Sequence, residues 1–329
     1  MGVGQLIDRF KDKRICVVGD VIADIYIYGK PHKLSREAPV VVIKYEEERI
    51  YPGSAGNTIN NLLALGAHVF PIGCMGRDEA GDRLVEHFSA HAKVDLRGFV
   101  RHDGRTVTKT RILAGDTHTS KQQVIRVDRE QEEPIPEAVR ESLRRKFAEI
   151  ASQVDGIVLS DYEYGLIDRK MRSLAADMAR TKVVVGDSRC NLKMFTGITM
   201  ITPNESEAYA LSGLSRDRDV DEVGRSIMGS MAVEALLITR GNKGMSLFLK
   251  DGQVHHIPIS GGDGPADVTG AGDTVAAAVT LALASGADFY TASRVANCAA
   301  GIVVMKRGTA VATADELKKV IEENGSLDW

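Results

Sequence analysis

Cysteine is scarce in this chain. Four occur in 329 residues, at Cys16, Cys74, Cys190 and Cys298. They form no CxxC pair and no metal-ligand spacing, so reduced thiols in the cytoplasm are the expectation, not a disulfide framework. Long apolar runs are missing too. The longest, 275–284, is interrupted by Thr280 and stops at Ser285-Gly286, short of what a bilayer requires. The opening residues, MGVGQLIDRFKDKR, are charged where a secretion signal needs an apolar core. Neither sign of charge dominates: a formal net charge of -3 gives no electrostatic case for nucleic acid or an anionic membrane as partner. Two phosphate-loop signatures are absent. GxxxxGK(S/T) has no match, since Gly29-Lys30 runs into Pro31, and GxGxxG does not occur between a strand and a helix. No repeat, linker or low-complexity tract divides the chain.

What is present suits one large α/β domain. With 43% hydrophobic and 26% charged residues, the chain can build a sizeable core. Short β-branched runs (RICVVGD at 14–20, GIVLSD, KVVVGD, ITMITPN, ALLITRG) alternate with helical segments at 137–152, 168–180, 205 onward and 220–231. Earlier helices are expected in GNTINNLLALGA and EAGDRLVEHFSAHA. A hairpin at 245–259, a helix after DVTGAGDT, another at 290–306 and a last one from Thr313 complete the chain. Strands alternating with helices predict a mostly parallel sheet covered on both faces. Two segments break that rhythm: DIYIYG with APVVVIKYEEE, and the stretch 106–128. Their alternation predicts strands with one wet face, grouped as a small accessory sheet.

The predicted strands end in polar or glycine corners: Gly19-Asp20, Ser160-Asp161, Gly186-Asp187, Pro203-Asn204 and Thr239-Arg240-Gly241. Asp and Asn also cap helices, so one corner decides little. Several together suit a polar ligand beyond the carboxyl ends of the sheet. The segment DVTGAGDT carries the sharpest chemistry. Gly270 and Gly272 permit positive φ and close approach of a ligand. The amides of Gly270, Ala271 and Gly272 would face outward at a helix start and favour an anion. Asp273 would sit beside them and stay ionised, since the same N–H groups favour its charge. In phosphoryl transfer such a base need only accept a hydroxyl proton, because positioning and charge stabilisation dominate.

DVTGAGDT resembles the C-terminal signature of the ribokinase-like (PfkB-type) carbohydrate kinases, and PGSAGNTINNLLALGAHVFPIGCMGRDEAGDRL resembles their N-terminal one. TPNESE matches their Asn-x-x-Glu magnesium motif at Asn204 and Glu207. The likeness runs from about residue 14 to about residue 308. It implies a single kinase domain over 1–329, a ribokinase-like three-layer sandwich with a β-sheet lid at about 21–52 and 100–130, ATP as donor, and Mg²⁺. Within the family, LSREAPVVVIK, KTRILA, KQQVIRVDRE, LSDYEYG and ITPNESE resemble the heptose 7-phosphate kinases of lipopolysaccharide-precursor synthesis. Those enzymes are often fused to a nucleotidyltransferase, which is not expected here. The chain departs from them at Ser54 (for Gly), Tyr164 (for Lys), Arg189 (for Lys) and in a longer link over 115–121.

By that resemblance, Asp273 is the base on the anomeric hydroxyl, and Gly270, Ala271 and Gly272 form the anion hole. Asp20, Asp24, Gly53 and Asn57 hold sugar hydroxyls. Thr239, Gly241 and Gly244 line the nucleotide with Asn297 near its base, and Asn204 and Glu207 hold Mg²⁺, partly through water. Asp267 and Thr269 help hold a monovalent cation such as K⁺. Lys109, Arg111 and Arg126, with Arg189, are candidates for a clamp on the substrate's phosphate, where Arg suits bidentate contact. Histidines, including His255-His256, read as structural. A lid with an exposed apolar face predicts a homodimer. A kinase for another sugar, sugar phosphate or nucleoside, or a non-catalytic sugar- or nucleotide-binding regulator on the same scaffold, stays open from sequence.

Overall fold

The computed structural model describes residues 2–115, 121–130, 133–260, 267–306 and 308–323. Strands, in chain order, are β1 (Arg14–Gly19), β2 (Val21–Leu34), β3 (Val41–Ser54), β4 (His68–Gly76), β5 (Phe99–His102), β6 (Thr108–Ala114), β7 (Gln122–Arg129), β8 (Gly156–Asp161), β9 (Val183–Ser188), β10 (Met200–Ile201), β11 (Ala235–Thr239), β12 (Met245–Leu249) and β13 (Val254–Ile257). Helices are α1 (Val3–Asp8), α2 (Ala55–Ala64), α3 (Glu79–Ser89), α4 (Glu137–Ala151), α5 (Arg169–Met178), α6 (Glu205–Ser212), α7 (Val220–Ser230), α8 (Ala271–Ala284), α9 (Phe289–Val304) and α10 (Ala314–Glu323).

The main sheet has the order β13-β12-β11-β10-β9-β8-β1-β4-β5. Its strands pair in parallel from β5 to β11, and β12 and β13 add an antiparallel edge. Strand residues are buried on both sides but sort by parity. Ile15 and Val17 point into the core under α2, α8 and α9, while Cys16 and Val18 point into the one under α4, α5 and α7. This is the three-layer sandwich that continuous apolar strands predict. Because the strands are parallel, their polar corners all emerge at one edge. Among the described residues, no helix is long and apolar enough to cross a membrane.

The second sheet, β3-β2-β6-β7, is the lid. It grows out of the main sheet: β2 leaves β1 after Asp20, returns as β3, and passes into α2. Its outer strand β7 is exposed along its whole length. Three expectations need correction. β4, β5 and α1 have no counterpart in the sequence reading, because 68–76 carries Pro71 and two glycines and β5 is short. Residues 99–102, placed partly in the lid from sequence, pair with β4 at the edge of the main sheet, so the second lid segment begins at Thr108. The strand read in ITMITPN is only Met200–Ile201. The longer link expected over 115–121 lies mostly outside the described residues.

The hinge between lid and α2 carries strain. Ser54 caps α2 with φ 56 and ψ -128, a region natural to glycine, and makes no side-chain capping bond. Such a conformation costs about 1–3 kcal/mol in a residue with a Cβ. Glycine's extra chain entropy costs less, about 0.5–1 kcal/mol. Ser54→Gly is therefore expected to raise the thermal unfolding midpoint by a few degrees, as a calorimetric comparison with the parent protein will show.

Candidate active site

The corners of β8, β9 and β11 and the start of α8 surround a cavity of about 800 Å³. α8 is buried on nearly every side, from Asp273 to Ala282, packed among α2, α9 and the sheet. Its apolar composition thus fixes the position of its amino end. Gly270 takes φ 78 there, and a Cβ on it would stand 2.4 Å from Asn57 Nδ2. Gly272 is different: its φ is not positive, and a Cβ would meet nothing within 4 Å. The positive φ expected at both glycines therefore holds only at Gly270, because Gly272 is already inside the helix.

Asp273 lies on the first turn of α8, 4% exposed. Asn57 Nδ2 donates to its Oδ2 at 2.9 Å, and Oδ1 accepts from the Tyr162 hydroxyl at 2.8 Å and from Thr58 Oγ1 at 3.3 Å. Burial pushes its pKa up to about 6, against the pull of these three donors. That corrects the expectation that helix amides would hold it down: side chains satisfy the carboxylate instead. The Ala271 amide, expected in an anion hole, donates to the Val268 carbonyl at 3.2 Å. The amides of Gly270, Gly272 and Asp273 have no partner among the described residues.

On the other wall, Asn204 and Glu207 form a reciprocal capping box at the start of α6: Asn204 Oδ1 accepts from the Glu207 amide and Glu207 Oε2 from the Asn204 amide, each at 2.9 Å. Burial pushes Glu207 up. Asp187, left unassigned by the sequence reading, joins the same wall. Burial raises it well above the ordinary range, with the Asp273 and Glu207 charges adding. These carboxyls, with a Glu207 oxygen to spare, are a fitting wall for a hard cation with oxygen ligands, whose charge would favour their ionised form. Among the described residues, no group of three or more His, Cys, Asp or Glu encloses an ion by itself. Thr239, Gly241, Gly244 and Asn297 line the cavity further along. Gly244 takes φ 78, and a Cβ would collide with the Ile257 carbonyl oxygen at 2.0 Å. Asn297 donates to the Pro258 carbonyl at 2.7 Å.

The lid contributes Asp24, Gly53, Lys109, Arg111 and Arg126, which lie outside the lining of that cavity, whereas Arg189 is part of it. Arg111 Nη1 meets Asp24 Oδ1 at 2.5 Å, and a Cβ on Gly53 would stand 2.2 Å from Asp24 Oδ2. Gly53 is thus required by the approach of Asp24. Arg126 pairs with Asp128 at 2.9 Å on the exposed strand. Lys109 is 6% exposed, and burial with the nearby Arg189 charge pushes its pKa down. Its Nζ lies 6.0 Å from the Tyr162 ring and 5.8 Å from the Tyr164 ring, while Arg189 lies 5.2 Å from the Tyr162 ring. Among the described residues neither Lys109 nor Arg189 has a carboxylate at ion-pair distance. Asp267 accepts from the amides of Thr269 at 3.0 Å and Gly308 at 2.9 Å. Burial pushes its carboxyl up, but these amides outweigh it and leave it below the usual range. His256 meets Ser246 and Asp221, and His255 packs on Tyr290.

Asp20, expected at a sugar hydroxyl, also anchors a loop. Its Oδ2 accepts from the amides of Tyr162 at 2.9 Å and Tyr164 at 3.3 Å. Burial, with Asp161 nearby, pushes it up to about 7 against those amides. Its folded pKa exceeds the unfolded value near 3.9, so the folded chain keeps a proton the unfolded chain releases. The associated stability is present below about pH 4 and lost as pH rises through about 7. Asp20→Asn, which can still accept both amides, is expected to flatten the decline of the unfolding midpoint over that range, as melts at several pH values will show.

Comparisons with known proteins agree with this fold. Solved structures with the same fold include an Arabidopsis thaliana ribokinase complexed with ribose and ATP, TM-score 0.75 at 19% identity over 94% of this chain and 99% of that one. An Escherichia coli phosphofructokinase-2 in complex with potassium superposes with TM-score 0.76 at 18% identity, with the same coverage of both chains. Among curated proteins, the bifunctional protein HldE of Paramagnetospirillum magneticum is 36% identical over 95% of this chain. That of Geobacter sulfurreducens is 39% identical over 92%. The chain spans 64% and 61% of the length of these relatives. Residues 12–316 match the pfkB family carbohydrate kinases: the chain belongs to that family.

Proposed function

We propose that this protein transfers the γ-phosphoryl group of ATP to the anomeric hydroxyl of a heptose 7-phosphate, as a step toward an activated heptose in the cytoplasm. One observation carries the reading: a buried carboxylate, pushed to about 6, stands beside open helix amides on a cavity large enough for a nucleotide. Near neutral pH Asp273 is mostly ionised yet basic enough to accept a hydroxyl proton. The amides of Gly270 and Gly272 face the migrating phosphoryl charge. Asp24, oriented by Arg111 and admitted by Gly53, takes sugar hydroxyls, and Asn57 holds the base. Lys109 and Arg189, cations without carboxylate partners among the described residues, supply the clamp on the acceptor's own phosphate. Arg126, paired and exposed, is the weaker candidate.

Thr239, Gly241, Gly244 and Asn297 bind the nucleotide. Asn204 and Glu207 would hold Mg²⁺, which neutralises phosphate charge when bound. Asp267 and Thr269 would border a K⁺ site, in keeping with the potassium complex of the E. coli phosphofructokinase-2. The substrate class rests on the HldE relatives and on the unpaired cations.

Asp273→Asn is expected to lower the transfer rate by several orders of magnitude while ATP binding, read by calorimetry, persists. A panel of sugars, sugar phosphates and nucleosides tests the acceptor: turnover of ribose, fructose or a nucleoside without turnover of heptose 7-phosphate contradicts the assignment.

The lid also leaves Leu34, Val40, Val41, Tyr45, Val124 and Ile125 exposed, between 51% and 70%, a surface suited to a second copy of the chain. A homodimer is the expected mass in light scattering at micromolar concentration, and a monomer there refutes it.

A further inference from the structure

We propose that Tyr162 is the positioning residue of the base: its hydroxyl, donated to Asp273 Oδ1, fixes which carboxylate lone pair faces the acceptor. This rests on the reading of Asp273 as the base. Tyr162 falls in the LSDYEYG segment, outside the two signatures and the Asn-x-x-Glu motif, and it acts from a different element, the loop leaving β8.

The geometry holds the carboxylate at both oxygens. Oδ2 is taken by Asn57 and Oδ1 by Tyr162 and Thr58, so the group is held from α2 on one side and from the β8 loop on the other. Asn57 and Thr58 are neighbours on one helix. Among the described residues Tyr162 supplies the second direction, and without it Oδ1 keeps only the longer contact with Thr58, at 3.3 Å. Burial and the Asp273 charge push the phenol well above its ordinary pKa, so it stays protonated and can only donate to a carboxylate acceptor.

The loop bearing Tyr162 is built to keep that hydroxyl in place. Asp20 Oδ2 accepts the Tyr162 and Tyr164 amides. Asp161 Oδ1 accepts the Glu163 amide at 3.0 Å, and its Oδ2 accepts from Ser188 and Asn191, each at 3.1 Å. Between these anchors Glu163 takes φ 70, a left-handed conformation that is uncommon for a residue with a Cβ. Strain of this kind persists only where its surroundings over-determine it, and it gathers at functional sites. Two buried carboxylates spent on three loop amides and two side chains are such surroundings. The buried Asp20, otherwise a costly group, thereby gains a purpose.

Tyr162→Phe removes the hydroxyl and keeps the ring, with its contacts to Lys109 and Arg189. The charged groups around Asp273, namely Asp24, Asp187, Lys109 and Arg189, are unchanged. Expected are a fall in kcat of about 10- to 100-fold, KM values for ATP and acceptor within about threefold, and an unchanged unfolding midpoint. Loss of a donor to the ionised form raises the pKa of the base, so the acid limb of the kcat profile should move up by about one unit. A kcat within about twofold of the parent, or a loss confined to KM with an unmoved acid limb, overturns the proposal. Carboxyl ¹³C titration of aspartate-labelled protein without substrate gives a second readout, with the Asp273 resonance identified by its loss in Asp273→Asn. A higher midpoint in Tyr162→Phe supports the role and an unchanged one refutes it. Failure of the parent protein to phosphorylate any sugar would strike the kinase reading instead and leave this titration standing.

Discussion

A carboxylate buried at the amino end of a buried helix is the constraint on which the rest of this structure turns. Removing an ionised group from water is costly unless hydrogen bonds replace the lost solvation. Asp273 obtains three, from Asn57, Thr58 and Tyr162. Those donors bind α2 and the β8 loop to α8. The same need explains Gly270, since a side chain there would displace Asn57. The balance is left incomplete: burial still raises the carboxyl to about 6. That residue of uncompensated cost is what suits the group to the base role proposed for it near neutral pH.

Around this point charge is segregated. Asp187 and Glu207 line one wall, both raised by burial and Asp187 further by the charges of Asp273 and Glu207. Lys109 and Arg189 make the opposite approach basic, and like-charge repulsion contributes to the lowered pKa of Lys109. Arg189 offsets part of the rise at Glu207, and Lys109 and Arg189 both stand over the Tyr162 ring. A ligand with phosphate at one end and a cation-bound polyphosphate at the other would relieve both. The lid supplies Asp24 from β2, which follows β1 directly, and Lys109 and Arg111 from the neighbouring β6, so these side chains and Asp273 share one framework.

Much of the fold was readable locally. Continuous β-branched strands, alternating lid strands and helices between them each have a short-range signature, and the parity of Ile15 and Val17 against Cys16 and Val18 follows from it. The elements that escaped were β4, β5 and α1, where proline, glycine or shortness blurs the pattern. DVTGAGDT was readable as a glycine corner before a carboxylate, but the state of that carboxylate was not. The sequence reading drew on the nearest amides, four residues of chain. The structure satisfies Asp273 with side chains more than a hundred residues distant.

The sequence by itself determined the α/β class, the edge at which polar corners gather and the motifs that identify a carbohydrate kinase family, because each depends on residues within a few positions of one another. Tertiary structure alone decided that Asp20 anchors a loop, that Arg111 and Arg126 are paired while Lys109 and Arg189 have no carboxylate partner among the described residues, and that Tyr162 reaches Asp273. Those outcomes depend on which groups meet across the fold and how much water they lose in doing so, and neither quantity is encoded in any short stretch of chain.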